Sequence, residues 1–330
     1  QSFTSKLNEL FAHCARQEHK LYMIIDEYDN FTNTILSTEG SMAYQRLTHG
    51  DGFLRHFFAL LKGGTTENGS GLARLFITGV SPITLDDVTS GMNIGKSITL
   101  HPTFNALLGF TETETQTMLQ YYRDEAGLNL DVEQSLSIMK RWYNGYHFVP
   151  GGETIFNADM VLYYVGEFVS RKEPPPRLID QNVKIDYAKL RHLMTLDQQL
   201  NGNFSLLTEV IENQGIDSEV EDSFPLESLR ERQNFISLLY YFGLLSHSPE
   251  GPKMLGIPNL CMRSMMYSYF ERGLKDTQVF TLDHYEIEQQ LRLMLLEGKW
   301  RGFFEYVAKE IKKQTKIRDF LDAEKAVQTF

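Results

Sequence analysis

Cysteine is scarce: Cys14 and Cys261 are the only two in 330 residues, and they lie far apart. A disulfide framework is therefore excluded, and the pair reads as reduced core thiols, as expected of a cytoplasmic protein. Long apolar runs are missing too. None approaches the roughly 20 residues of a membrane-spanning helix, so no membrane partner is expected. The opening stretch QSFTSKLNEL has no basic and no apolar region of a signal peptide. It also lacks an initiating Met, so the chain is expected to begin inside a longer protein. Basic charge is in deficit: 32 Lys and Arg against 43 Asp and Glu leave a net charge of −11. Such a balance disfavours a broad nucleic-acid-binding face. The sequence contains no HExxH, no CxxC pair, no Ser-His-Asp order, no internal repeat and no low-complexity segment. His147 has no Cys or His at metal-ligand spacing.

What remains is an ordinary globular composition, 42% hydrophobic and 23% charged, long enough for a sizeable core and about two domains. One stretch stands out. Leu21, Met23, Ile24 and Ile25 form a short apolar run cut off by Asp26-Glu27-Tyr28-Asp29. The run reads as a strand buried on both faces, as in a parallel sheet. Acids at the C-terminal end of such a strand stand where open α/β sheets bind ligands. In nucleotide hydrolases this is the Walker B arrangement. Asp26 would hold Mg²⁺ directly or through water, and Glu27 would orient or deprotonate the attacking water. The competing reading is a strand end with solvated acids before a turn.

Leu7, Leu10, Phe11 and Cys14 recur at helical spacing and predict a helix over 4–18 feeding the strand. Residues 30–40 read as a polar loop, 41–62 as one or two helices weakened at Gly50 and Gly52, and 62–71 as a surface loop. Ala73 to Gly79 is a second buried strand, and the helix between the two makes a βαβ unit. Thr78 ends that strand beside the acids, where AAA-type hydrolases carry the polar residue called sensor 1. Its alternative is a Thr that merely suits a strand end. Gly95-Lys96-Ser97 is not a P-loop, because Ser90 stands where the motif needs glycine and the segment follows the acids instead of preceding them.

Thr111 and Glu114 form a capping-box pattern at a helix start. A further helix over 131–142 ends in Trp142-Tyr143-Asn144-Gly145-Tyr146-His147-Phe148, with Gly145 as the helix stop. This aromatic cluster reads as a lid near a nucleotide or as a plug beneath a turn. A helix follows at 158–168, and Lys172 to Arg177, KEPPPR, is the strongest breaker. Beyond it the pattern is helical at 186–196, 204–213, 226–245 and 259–273. A short hairpin around 247–252 suggests a winged-helix-like module. Two helices at 283–297 and 299–315 carry the basic cluster Lys309, Lys312, Lys313, Lys316 and Arg318, read mainly as a solvated face.

In order, IIDEYDNF, FITGVSPITLDDVTSGMNI, LGFTETE, WYNGYHF, IFNADMVLYYV and LGIPN resemble the predicted AAA-ATPase-like family. The resemblance spans most of the chain. It implies an α/β P-loop NTPase-like fold with a partial parallel sheet, followed by a mainly helical lid and winged-helix-like region. It divides the chain into an ATPase-like core at 1–170, a helical part at 171–280 and a lead-in at 281–330 to a PD-(D/E)XK nuclease-like domain, with Glu324 as its helical acid. Asp26, Glu27 and Thr78 match the family's acids and sensor strand. The phosphate loop would lie upstream of Gln1. Mg²⁺ and ATP are the cofactors expected of the longer protein, and nucleotide, nucleic acid through the nuclease-like domain, and self-association are the partners it implies. Two other readings stand beside an ATPase: an inactive binding scaffold derived from one, and a metal-dependent phosphohydrolase using Asp26 and Asp29.

Overall fold

The computed structural model describes residues 3–66, 70–80, 82, 83, 87, 95–180, 203–276 and 283–314. The chain divides into two compact units, 1–267 and 268–330. The break expected near 170 falls inside the first unit.

The first unit opens with α1 (Phe3–Arg16), β1 (Leu21–Ile25), α2 (Asn30–Glu39), α3 (Ser41–Thr48), α4 (Phe53–Thr66) and β2 (Leu72–Ile77). β1 and β2 pair in parallel, Met23 opposite Leu75 and Ile25 opposite Ile77. Leu7 and Phe11 of α1 and Leu54, Phe58 and Leu61 of α4 bury against Leu72, with Leu21, Met23 and Ile25 packed on the same cluster. Each such side chain, fully buried, contributes about 1.5–3 kcal/mol. The expectation of strands buried on both faces is corrected here. Tyr22 is 71% and Ile24 73% exposed, and Phe76 is also exposed. α1 and α4 cover one face of a two-stranded sheet, so alternate residues point to an open face.

Two predicted loops are helices. Residues 30–40 form α2, whose hydroxyls return to the backbone: Thr32 Oγ1 donates to the Asp29 carbonyl, Thr34 to Asn30 and Thr38 to Thr34. Back-bonding of this kind lets Thr sit inside a helix despite its weak propensity. The loop expected from Lys62 is instead the last turn of α4. Gly64 there faces Phe11 and Leu72, at 3.1 and 3.2 Å from where a Cβ would stand. That glycine serves close packing and does not break the helix. The division of 41–62 into two helices holds, with the turn at Gly50 in left-handed backbone, φ +54°.

α5 (Glu112–Asp124) carries the full capping box of Thr111 and Glu114. α6 (Val132–Tyr143) and α7 (Ala158–Arg171) follow, capped by the side chains of Asp131 and Asn157. The second part of this unit holds α8 (Asn203–Asn213), β3 (Gly215–Asp217), a 3₁₀ turn (Leu226–Arg230), α9 (Arg232–Tyr241), β4 (Ser246–His247) and β5 (Met254–Gly256). The long helix expected over 226–245 is thus a 3₁₀ turn and a shorter α-helix. The expected hairpin forms, and β3 joins it in a three-stranded antiparallel sheet ordered β3-β5-β4. α10 (Leu260–Asp276) carries the chain across the division.

In the second unit α11 (His284–Glu297) and α12 (Trp300–Gln314) pack together. Asp283 caps α11 by accepting from the Tyr285 and Glu286 amides. Lys316, Arg318, Glu324 and the helix expected at 186–196 lie outside the described residues. Among the described residues no helix is long and apolar enough to cross a membrane.

Candidate functional site

The parallel strands end side by side, and their exits are stitched together. The Thr78 amide donates to the Ile25 carbonyl at 2.9 Å, and the Tyr28 amide to the Thr78 carbonyl at 3.0 Å. Thr78 Oγ1 donates to Asp26 Oδ1 at 2.5 Å. The same oxygen receives the Glu27 amide at 3.1 Å. The structure therefore places Asp26 and Thr78 on one crest, with Asp26 exposed to solvent.

Glu27 adopts φ +49°. A non-glycine residue there costs about 1–3 kcal/mol and persists only where its surroundings over-determine it. Three contacts do so: its amide on Asp26, its carbonyl accepting from the Asn30 amide at 3.0 Å, and its Oε2 accepting from Asn30 Nδ2 at 2.8 Å.

Asp29 behaves differently. It is 2% exposed, and its two oxygens accept from Asn33 Nδ2 at 2.8 Å and the Val80 amide at 3.1 Å. It joins the start of α2 to the exit of β2. A carboxylate held this way is poorly placed to share a cation with Asp26, which disfavours the phosphohydrolase reading.

Glu27, Asp29, Asn30, Asn33 and Val80 form one wall of a cleft of about 480 Å³. Tyr146, His147, Phe148, Tyr240 and Tyr241 form much of the rest. The aromatic segment after α6 is bolted in place: Tyr146 pairs with Ile155, the His147 amide donates to Ser246 Oγ, and Tyr240 Oη donates to the Phe148 carbonyl at 3.0 Å. His147 Nδ1 lies 2.7 Å from the Gly152 carbonyl. In the neutral ring that contact puts the proton on Nδ1 and leaves Nε2 as an acceptor. Burial drives the Tyr240 and Tyr241 phenols far above their ordinary range, so both stay protonated. The cleft thus joins an acidic, hydrogen-bonding end to an aromatic one. Asn30, Tyr240 and Tyr241 are lining residues that sequence reading missed. The exposed carboxylate of Asp26 fits a magnesium ligand. Among the described residues, no glycine-rich loop stands beside it to cradle phosphate.

The model of the predicted AAA-ATPase family matches residues 1–89, the span that holds Asp26, Glu27 and Thr78. Over these residues the chain is similar to the predicted AAA-ATPase family. The AAA-ATPase-like region thus comprises α1 to β2 and the crest between its strands. An uncharacterized protein in the vnfD 5′ region of Azotobacter chroococcum mcd 1 is 26% identical over 159 residues, 46% of this chain. The match covers 26% of that relative, so the chain spans about a quarter of its length. No solved structure matches.

Proposed function

We propose that the AAA-ATPase-like region is the Walker B and sensor half of an ATPase, completed by a phosphate loop in a longer protein. The observation that carries this reading is the Thr78 hydroxyl on the Asp26 carboxylate, beside a cleft lined by Glu27. When bound, Mg·ATP supplies the phosphoanhydride. Asp26 would hold the magnesium ion, directly or through water. Glu27 would take a proton from water at Oε1, since Asn30 occupies Oε2. Thr78 Oγ1 would turn from Asp26 towards the γ-phosphate. The aromatic end of the cleft, Tyr146 and Tyr240 among its walls, suits a base. Nucleotide state would then bias the helical part that carries Tyr240 and, in the longer protein, a nuclease-like domain.

Phosphate affinity in such sites rests mainly on backbone N–H groups and one Lys of the phosphate loop. We therefore expect this 330-residue chain alone neither to bind ATP tightly nor to hydrolyse it. A coupled phosphate-release assay on the purified chain checks this. Turnover abolished by Asp26→Asn would show that these residues suffice without the loop.

The second reading, an ATPase-derived scaffold without catalysis, is favoured by one observation: among the described residues no glycine-rich loop stands beside Asp26. On that reading Asp26→Asn leaves the function of the longer protein intact.

A further inference from the structure

Away from the crest, the fold brings together three residues from distant parts of the chain. His49 lies just past the end of α3, Asp87 beyond β2, and Glu227 in the 3₁₀ turn before α9. His49 Nε2 stands 3.8 Å from Asp87 Oδ1 and 3.9 Å from Glu227 Oε1. The three ligand atoms all lie within 4.8 Å of one another.

The hydrogen bonds around the cluster fix what the imidazole presents to it. Thr48 Oγ1 donates its proton to the Tyr44 carbonyl at 3.0 Å. The same oxygen lies 2.8 Å from His49 Nδ1, so it accepts there and Nδ1 carries the proton. The neutral ring then leaves the lone pair of Nε2 within 4 Å of two carboxylate oxygens. Three electron-rich atoms this close together form a set that one cation can share. A proton on Nε2 would serve poorly, because 3.8–3.9 Å exceeds hydrogen-bond reach of about 2.7–3.2 Å. A shared ion accounts for them better: atoms bound about 2.0–2.2 Å from one metal, at roughly 110–120°, lie about 3.3–3.8 Å apart, so the three atoms would close in on the ion when it binds.

Each carboxylate is also held from outside, as ligand groups are. Tyr44 Oη donates to Asp87 Oδ2 at 2.6 Å, and the Leu226 amide approaches the same oxygen at 3.4 Å. Gln45 Nε2 donates to Glu227 Oε1 at 2.9 Å. The Asp87 side chain is 1% exposed, whereas those of His49 and Glu227 are 40% and 54% exposed, so water can complete the coordination.

We propose that His49 Nε2, Asp87 Oδ1 and Glu227 Oε1 bind a divalent transition metal of the zinc or manganese class, at a site distinct from Asp26. One imidazole with two carboxylates suits such ions better than the all-oxygen shells of magnesium or calcium. The ion would tie the end of α3 and Asp87 to the 3₁₀ turn.

The test is calorimetric titration of Zn²⁺ into the chelator-treated chain, with Co²⁺ absorption in parallel. Wild type should bind one equivalent that His49→Ala and Glu227→Gln both lose. Tyr44→Phe should weaken it about 10- to 100-fold. Both lost ligands are partly exposed, so these variants keep the fold, which circular dichroism checks. Exposed His19 supplies the control: His19→Ala should bind as wild type does. If His49→Ala or Glu227→Gln titrates like wild type, or if Co²⁺ gives no absorption band that depends on His49, the proposal is overturned.

Discussion

On the proposed ATPase reading, Glu27→Gln in a longer protein that carries a phosphate loop should lower ATP turnover by about 10²- to 10⁴-fold, the usual worth of a positioned general base. ATP binding should change little. The amide keeps the size of the carboxylate and can still meet Asn30, so neither the left-handed backbone at Glu27 nor the start of α2 is disturbed. What it cannot do is accept a proton from water. Asp26→Asn should act differently, weakening magnesium-dependent binding as well as turnover. Steady-state kinetics with a filter-binding assay separates the two. If Glu27→Gln hydrolyses ATP at the wild-type rate, Glu27 is not the base and the scaffold reading gains.

Gly145→Ala should destabilise the first unit by about 2–5 kcal/mol, combining a strained φ with overpacking. Gly145 has φ +100°, and a Cβ there would stand 2.2 Å from the Pro258 carbonyl oxygen. That oxygen is backbone and cannot swing aside. The neighbouring contacts are just as tight: Asn259 Nδ2 donates to the Asn144 carbonyl at 2.9 Å, locking the aromatic segment to the start of α10. Gly127→Ala is the control, because Gly127 also has positive φ, +62°, yet nothing lies within 4 Å of its Cβ position. Denaturant unfolding followed by Trp142 fluorescence, in a Trp300→Phe background, reads both. Equal losses for the two variants would mean that the approach of Pro258 is not there.

The crest was legible because charge interrupts an apolar run abruptly, and only a strand end explains Leu21 to Asp29 economically. The capping box at Thr111 and the stop at Gly145 were legible for a similar local reason: each is a backbone need met by a nearby residue. The face of β1 was not. An apolar run says that a strand is apolar on both sides, not that both sides are covered, and Tyr22 and Ile24 lie open. α2 was misread because Thr and Asn look like loop residues until their hydroxyls are seen closing on carbonyls one turn back. The cleft's far wall was also invisible, since Tyr240 and Tyr241 fall inside the stretch that reads as helix over 226–245. The same distance hid His49, Asp87 and Glu227, which share no local spacing.

The nucleotide reading is tested most directly by crystallising the longer protein with Mn²⁺ and a non-hydrolysable ATP analogue and locating the metal by its anomalous signal. We expect the peak beside the Asp26 carboxylate, bound directly or through one water, with the γ-phosphate facing Thr78 and Glu27. A metal and triphosphate bound elsewhere, with the Asp26–Thr78 contact untouched, would contradict it.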